Sequence, residues 1–513
     1  MAASTDSIRP VAVNPLPLEV VATRLGLAAV SASEVAVTGV AASSDDVREG
    51  DLFFALPGAK SHGANFVPEA IARGAFAVVT DADGLQLMGA VDVPVLEVAD
   101  PRSVLGLVSS WVYETELHTP RLFGVTGTNG KTTVVYLVSA ILRQLGHVTG
   151  LSSTSERIIA GRVEPAGLTT PEANQMHAMI AAMNERGVTD AVLEVSAHAV
   201  TRHRVDALRF DAVGFTNFSQ DHLDDYGSME SYFAAKRELF TPAFADRGVV
   251  VVDSPWCQQL VRDAQIPVTT VGLDNATSAD WRVRVIDAGV ESTEFALSHG
   301  GEELATSVPL VGAYSAVNAA LAIAMCVEGG CDLTQIREVL DRDGGIRAEI
   351  PGRTELVSGE GAPRFFVDYG HTPEAFAVTL AGLRAVTTGK LIMVFGADGD
   401  RDTTKREAMG ANAARGADVV IITDYHPRSE DPALIRASLL AGAQHAGASS
   451  DIREEADPSA AVRLALALAV PGDTILYAGP GDEDYREIAG KRIPYSARDD
   501  VREALTEAGW ATR

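Results

Sequence analysis

Three cysteines in 513 residues, Cys257, Cys326 and Cys331, are too few for a disulfide framework and lack the spacing of a zinc site. No apolar run reaches the roughly 18 residues that a membrane helix needs. Both absences point to a protein of the reducing cytoplasm that does not insert into a membrane. The first 24 residues have scattered charge and prolines at 10, 15 and 17 instead of a basic patch and an apolar block, so no signal peptide is expected. Basic residues are also scarce. Lysine and arginine number 42 against 69 aspartates and glutamates, a formal charge of −27 that argues against a generic nucleic-acid-binding surface. A nucleotide substrate is still allowed, because backbone N–H groups and one or two cations can hold phosphates locally whatever the global charge.

What is present is ordinary for a folded chain: 46% apolar residues and 22% charged. The length is too great for one core, so several domains are expected. Short strand-like runs at 35–40, 51–55, 76–80 and 95–98 precede a polar stretch at 114–120. From residue 121 the pattern changes to strand runs at 121–126, 190–196, 212–218 and 248–253, with helix-like segments between them. That alternation predicts βαβ units and a mostly parallel sheet. An Asp-Gly-Gly at 343–345 ends a helical segment, and strand runs at 364–368, 390–395, 418–423 and 473–477 follow, with helical stretches such as 458–470. The reading is therefore an α/β chain of three domains, residues 1–118, 119–345 and 346–513.

The sharpest local signal is GVTGTNGKTT at residues 124–133, set between the strand at 121–126 and helical spacing over 132–145. That is the context of a phosphate-binding loop. Glycines let successive N–H groups curl around one anion, and the helix N-terminus adds its positive end. Lys131 would offset charge on the β- and γ-phosphates, and the Thr132 hydroxyl would ligate Mg²⁺. The spacing departs from G-x-x-x-x-G-K-[ST], because Val125 stands at the first glycine position. Glu194 stands at the end of one strand run and His222 follows another, at the sheet edge where α/β proteins place ligands. Lys236, read alone, is a solvated helix lysine, and His198 and His203 read equally well as structural histidines.

TGTNGKTT at 126–133 resembles the nucleotide loop of the Mur ligase family, and further segments agree from about Ser44 to Ser496. The resemblance is to members that add the third residue to UDP-N-acetylmuramoyl-L-alanyl-D-glutamate. It implies a central P-loop parallel-sheet ATPase domain between an N-terminal α/β uridine-nucleotide domain and a C-terminal Rossmann-like amino-acid domain. It also implies ATP and Mg²⁺ as cofactors, with Gly127, Thr128, Asn129, Gly130, Lys131, Thr132, Thr133, Asn318, Arg353 and Asp368 around the ATP. Thr132, Glu194, His222 and a carbamylated Lys236 would hold the metal, with Lys131, Glu194, His222 and Lys236 as the catalytic set. Ser44, Thr169, Thr170, Ser196, Arg202 and Arg204 match contacts to the UDP-muramoyl dipeptide. Two of these positions depart from the family pattern, since Asp-Ser-Arg reads Ser43-Ser44-Asp45 and Arg202 replaces a glutamine.

The acceptor segment departs further. Arg401 is kept, as are Pro427 and Arg428, but Tyr425 and His426 stand where diaminopimelate-using members have Asp-Asn. Gly479-Pro-Gly-Asp-Glu483 replaces Gly-Lys-Gly-His-Glu. An altered buried polar site usually means an altered ligand. The expected acceptor is therefore L-lysine or another basic amino acid, with meso-diaminopimelate as the alternative. The chain is expected to act as a monomer on the UDP-linked dipeptide and a free amino acid. A dipeptide-adding or folylpolyglutamate-type ligase and a non-catalytic Mur-like binding subunit are the competing readings. The last usually carries a four-cysteine zinc ribbon that this chain cannot make.

Overall fold

The computed structural model describes residues 8–27, 35–58, 60–274 and 279–513. Three sheets organise the chain. The first is a parallel four-stranded sheet of Gly39–Ala41, Asp51–Phe54, Ala75–Thr80 and Val95–Glu97. Its strands are nearly all buried, as expected of a parallel sheet covered on both faces. The run at 35–40 splits, because Ala36–Val37 pairs instead with Leu16–Pro17. Gly39 is needed at the split. A Cβ there would lie 2.1 Å from the carboxylate of Asp51, which forms a buried 2.8 Å ion pair with Arg9.

The central sheet has eleven strands, and Arg121–Thr126 lies between Asp190–Glu194 and Phe210–Phe215. Its core is parallel and continues through Ala245–Val251 and Val268–Leu273 to Trp281–Ala288. Antiparallel ribbons flank it: Glu156–Ile159 and Arg162–Pro165 on one side, Thr293–His299 and Glu302–Val308 on the other. These ribbons mix buried, half-buried and exposed residues, a weaker signal than the fully buried parallel runs. The helices Lys131–Gln144 and Ala313–Glu328 pack together in the core on one face. The strand run at 212–218 ends instead at Phe215, since Thr216 and Asn217 leave the ladder to hold the phosphate loop.

The third sheet orders Glu355–Leu356, Arg364–Asp368, Thr474–Ala478, Leu391–Phe395, Val419–Ile422 and Asp451–Glu454, and only its first pair is antiparallel. It is docked on the central unit by a buried Lys405–Asp221 ion pair of 3.0 Å and by Gln220 Nε2 donating to Thr404 Oγ1 at 2.9 Å. Among the described residues, no helix is long and apolar enough to cross a membrane.

Candidate active site

Between the second and third sheets lies a cavity of about 810 Å³. The phosphate loop forms its floor, at the C-terminal end of the central strand where the sheet edge opens. Gly127 takes φ 142°, and a Cβ on it would sit 1.9 Å from Thr216 Oγ1. Gly130 takes φ 83° and caps the helix Lys131–Gln144 with no side chain, which leaves the first N–H groups of the helix unclaimed. The loop is held from the neighbouring strand end. Asn217 Oδ1 accepts from Asn129 N at 2.9 Å, and its Nδ2 donates to Asn129 O at 3.0 Å. Thr216 Oγ1 donates to the same carbonyl at 2.6 Å. Lys131 Nζ donates to Thr128 O at 2.8 Å and lies 3.9 Å from Glu194 Oε1.

Glu194 ends its strand opposite Val125 and is almost fully buried. Thr132 Oγ1 donates to its Oε2 at 2.9 Å, while Thr154 donates from its N at 3.1 Å and from its Oγ1 at 3.2 Å. Sequence reasoning missed Thr154, whose only signal is a hydroxyl in a loop 40 residues upstream. His222 faces the same cavity in a left-handed turn at φ 54°. Burial, reinforced by Lys236 and Lys131, lowers its pKa to about 4, against the pull of Asp221, so its imidazole is neutral and able to ligate. Asp221 stays ionised, held far below the usual carboxylate range by Lys405 and the neighbouring histidines despite its burial. Lys236 is 1% exposed and donates to Gly127 O at 2.6 Å. Burial and the nearby Lys131 press its pKa well below the ordinary lysine value. That corrects the solvated-helix reading, because the helix Met229–Arg237 turns this lysine inward.

The third sheet supplies the opposite wall. Arg353 Nη2 donates to Thr132 Oγ1 at 3.2 Å, and its Nη1 pairs with Asp482 at 3.0 Å. Asp368 lines the cavity, but Thr354 N and Gly370 N, both at 2.7 Å, occupy its carboxylate, so it shapes the turn that carries Arg353. Asn318 packs against Gly130, beside Gly272, Leu273 and Val317. At the far end stand Arg401, Tyr425, His426, Arg428, Gly479 and Glu483. Glu483 Oε2 accepts from Tyr425 Oη and, at 2.7 Å, from His426 Nε2. Pro427 lies behind this wall, with its carbonyl against Gly399.

The residues matched to the UDP-linked substrate are less unified. Thr169 and Ser196 line the cavity. Thr170 is buried beneath them, donating to Glu194 O at 2.8 Å, and Arg204 pairs with Glu172 at 2.8 Å. Arg202 is exposed at the end of a short helix outside the cavity. Ser44 stands in the first domain and donates to Glu69 at 3.1 Å, away from the cavity wall. His198 joins Asp225 at 2.9 Å and His203 joins Asp206 at 2.7 Å.

Three family models match in chain order: "Mur ligase family, catalytic domain" over residues 36–112, "Mur ligase middle domain" over 125–326 and "Mur ligase, glutamate ligase domain" over 352–481. A UDP-N-acetylmuramyl-tripeptide synthetase of Leifsonia xyli subsp. xyli is 57% identical over 477 residues, 93% of each chain. A UDP-N-acetylmuramoyl-L-alanyl-D-glutamate--2,6-diaminopimelate ligase of Streptomyces coelicolor is 42% identical, covering 97% of this chain and 98% of its own. A solved structure of an enzyme with that same ligase name superposes with a TM-score of 0.64 at 27% identity, over 93% of this chain and 96% of its own. Carried over nearly the whole chain and converging on the nucleotide-loop cavity, these matches establish that the chain belongs to the Mur ligase family, whose members couple ATP to amide-bond formation.

Proposed function

We propose that this ATP-dependent ligase joins an amino acid, L-lysine or another basic one, to the D-glutamyl γ-carboxyl of UDP-N-acetylmuramoyl-L-Ala-D-Glu. The observation that carries the reading is one cavity lined by the phosphate loop, the Thr132–Glu194 pair and a polar pocket bearing Arg401 and Glu483. The unclaimed N–H groups after Gly130, with Lys131, suit the terminal phosphates of ATP, and the slot beside Asn318 suits its adenine. The oxygen donors Thr132 and Glu194, with the neutral His222, fit Mg²⁺, which would supply neutralisation of charge on the transferring phosphoryl group. Lys236 fits as a fourth donor once carbamylated. Its uncharged amine adds CO₂ and loses a proton, so a neutral amine beside Lys131 becomes an anionic carbamate donor.

In this reading the carboxylate of D-Glu attacks the γ-phosphorus, the bond to the β–γ bridging oxygen breaks and ADP leaves, while Lys131 offsets the charge of the transferring group. The amine of the acceptor then attacks the acyl phosphate, and phosphate leaves. Arg353 reaches Thr132 from the third domain, so closure brings the acceptor pocket to the activated carboxyl and excludes water.

A second reading, meso-diaminopimelate as acceptor, is favoured by the retained Arg428 and Glu483 and by the name of the Streptomyces relative. A dipeptide-adding or folylpolyglutamate-type activity is less well supported, given a full-length tripeptide-synthetase relative at 57% identity. A binding subunit would not need Lys131, Thr132, Glu194 and His222 gathered in one cavity. An ADP-release assay with the UDP-linked dipeptide and a panel of amino acids tests the proposal. Sustained ADP release should require both substrates, and steady release indifferent to the acceptor would count against it.

A further inference from the structure

The two arginines at the acceptor end of the cavity are in different states. Arg401 is exposed and makes no hydrogen bond or ion pair among the described residues. Arg428 is clasped. Its Nη2 donates to Asp398 Oδ1 and its Nη1 to Gly399 O, both at 3.3 Å, while its buried Nε makes no hydrogen bond among the described residues and is ion-paired with Glu487 Oε2 at 3.6 Å. Its backbone is tied to the same segment, with Arg428 N donating to Glu487 O at 3.0 Å and Ala489 N donating to Arg428 O at 2.7 Å. The strand Tyr485–Ile488 that carries Glu487 is paired in turn with Lys491–Pro494. The backbone of residue 428 is therefore fixed to the hairpin that carries Glu487.

His426 adds no positive charge here. Its Nδ1 accepts from Glu487 N at 2.7 Å, so the ring proton sits on Nε2 and is given to Glu483 at 2.7 Å. Tyr425 donates to the same oxygen, and the other, Oε1, meets only Tyr369 Oη at 3.5 Å. Glu483 is thus a fixed carboxylate with one oxygen open. Three acids, Asp398, Glu483 and Glu487, face two arginines, with Asp400 adding a fourth negative charge near both; among the described residues Arg428 has two acids within ion-pair distance and Arg401 none. Such a pocket has a place for one carboxylate and one cation. A second carboxylate would have to displace Glu487 or Asp398 from Arg428, or stand unpaired beside them.

We infer that this pocket selects an acceptor with a distal ammonium and no distal carboxylate, and that Glu487 sets the choice by occupying Arg428. The inference rests on the ligase reading above and narrows its acceptor. Discrimination against the wrong ligand here comes from a repulsive element as much as from an attractive one.

The test is kcat/KM for L-lysine, L-ornithine, meso-diaminopimelate and the neutral L-norleucine, on the full chain and on Glu487→Gln. With the natural chain, the better diamino monocarboxylate should exceed both meso-diaminopimelate and norleucine by about 100-fold. In Glu487→Gln that acceptor should lose about tenfold while meso-diaminopimelate gains about tenfold, chiefly through KM. A natural chain that prefers meso-diaminopimelate or norleucine overturns the inference, whether or not the variant folds. So does a folded variant in which every acceptor changes by the same factor, since that marks Glu487 as merely structural. Steady multiple-turnover ADP release with no acceptor at all would instead bring down the ligase reading, and the inference with it.

Discussion

Lys131 and Lys236 stand close enough to depress one of them, and their roles separate by burial. Lys131 is 17% exposed and aimed across the phosphate loop, whereas Lys236 is sealed behind it against Gly127 O. On the proposed reading, replacing Lys131 by alanine removes the cation that faces the terminal phosphates and the transferring phosphoryl group, and should lower kcat by about 10²- to 10³-fold in the ADP-release assay. Normal turnover in that variant would contradict the loop's role. For Lys236 the expected outcome is spectroscopic. Protein equilibrated with ¹³C-bicarbonate at neutral pH should show a carbamate carbon signal that is absent from Lys236→Met, and its absence from both would refute the carbamylated site.

The loop itself could be read from the sequence because its chemistry is local, with glycines, Lys131 and Thr132 inside ten consecutive residues. Thr154, Asn217 and Lys405 could not, because each acts on a partner 40 to 184 residues away. Nothing in the surroundings of Lys236 marks it as buried either. That depends on which face of the helix Met229–Arg237 meets the sheet.

At the scale of elements, the phosphate loop is stiff because a second strand end holds it. Gly127→Ala would put a methyl group 1.9 Å from Thr216 Oγ1 in a backbone conformation that alanine avoids. ATP affinity by calorimetry should fall at least about tenfold, with the melting temperature lowered as well. Unchanged affinity would mean that the loop is softer than its hydrogen bonds imply. The helix Ala173–Glu185 carries a different device. His177 is fully buried, its Nδ1 accepting from Thr115 Oγ1 at 2.6 Å and its Nε2 donating to Asp206 O at 3.0 Å. Burial lowers its pKa from 6.5 to about 4. Between those values the unfolded chain binds a proton that the folded chain refuses. This contribution to stability is therefore complete above pH 6.5 and declines below it, by about 1.4 kcal/mol per pH unit. Urea unfolding from pH 7.5 to 4.5 should show that slope reduced in His177→Gln, and equal slopes would contradict the assignment.

The strands legible in the sequence were the fully buried parallel ones, whose apolar runs are continuous. The antiparallel ribbons at 156–165 and 293–308 escaped because their buried positions are interrupted by exposed ones and follow no regular period.

For the whole molecule, the cavity exists because the third sheet is docked on the second. Lys405 and Asp221, each 8% exposed, form the pair that spans the junction. Lys405→Met leaves Asp221 buried without its strongest cation, a change that commonly costs about 3–5 kcal/mol when a buried pair is broken. The expected result is a larger radius of gyration in small-angle scattering and a raised KM for the amino acid, with ATP affinity little altered. A variant as compact as the natural chain, with an unchanged KM, would show that closure rests on other contacts.

The central claim is that a carboxyl of the UDP-linked dipeptide is activated on this loop before the amino acid attacks it. Transfer of oxygen reports that step directly. With ¹⁸O in the D-glutamyl γ-carboxylate, each new amide bond should deliver one labelled oxygen to the inorganic phosphate released, read by mass spectrometry or by the ³¹P isotope shift. Phosphate free of label, formed while the amide product accumulates, would contradict an acyl-phosphate route.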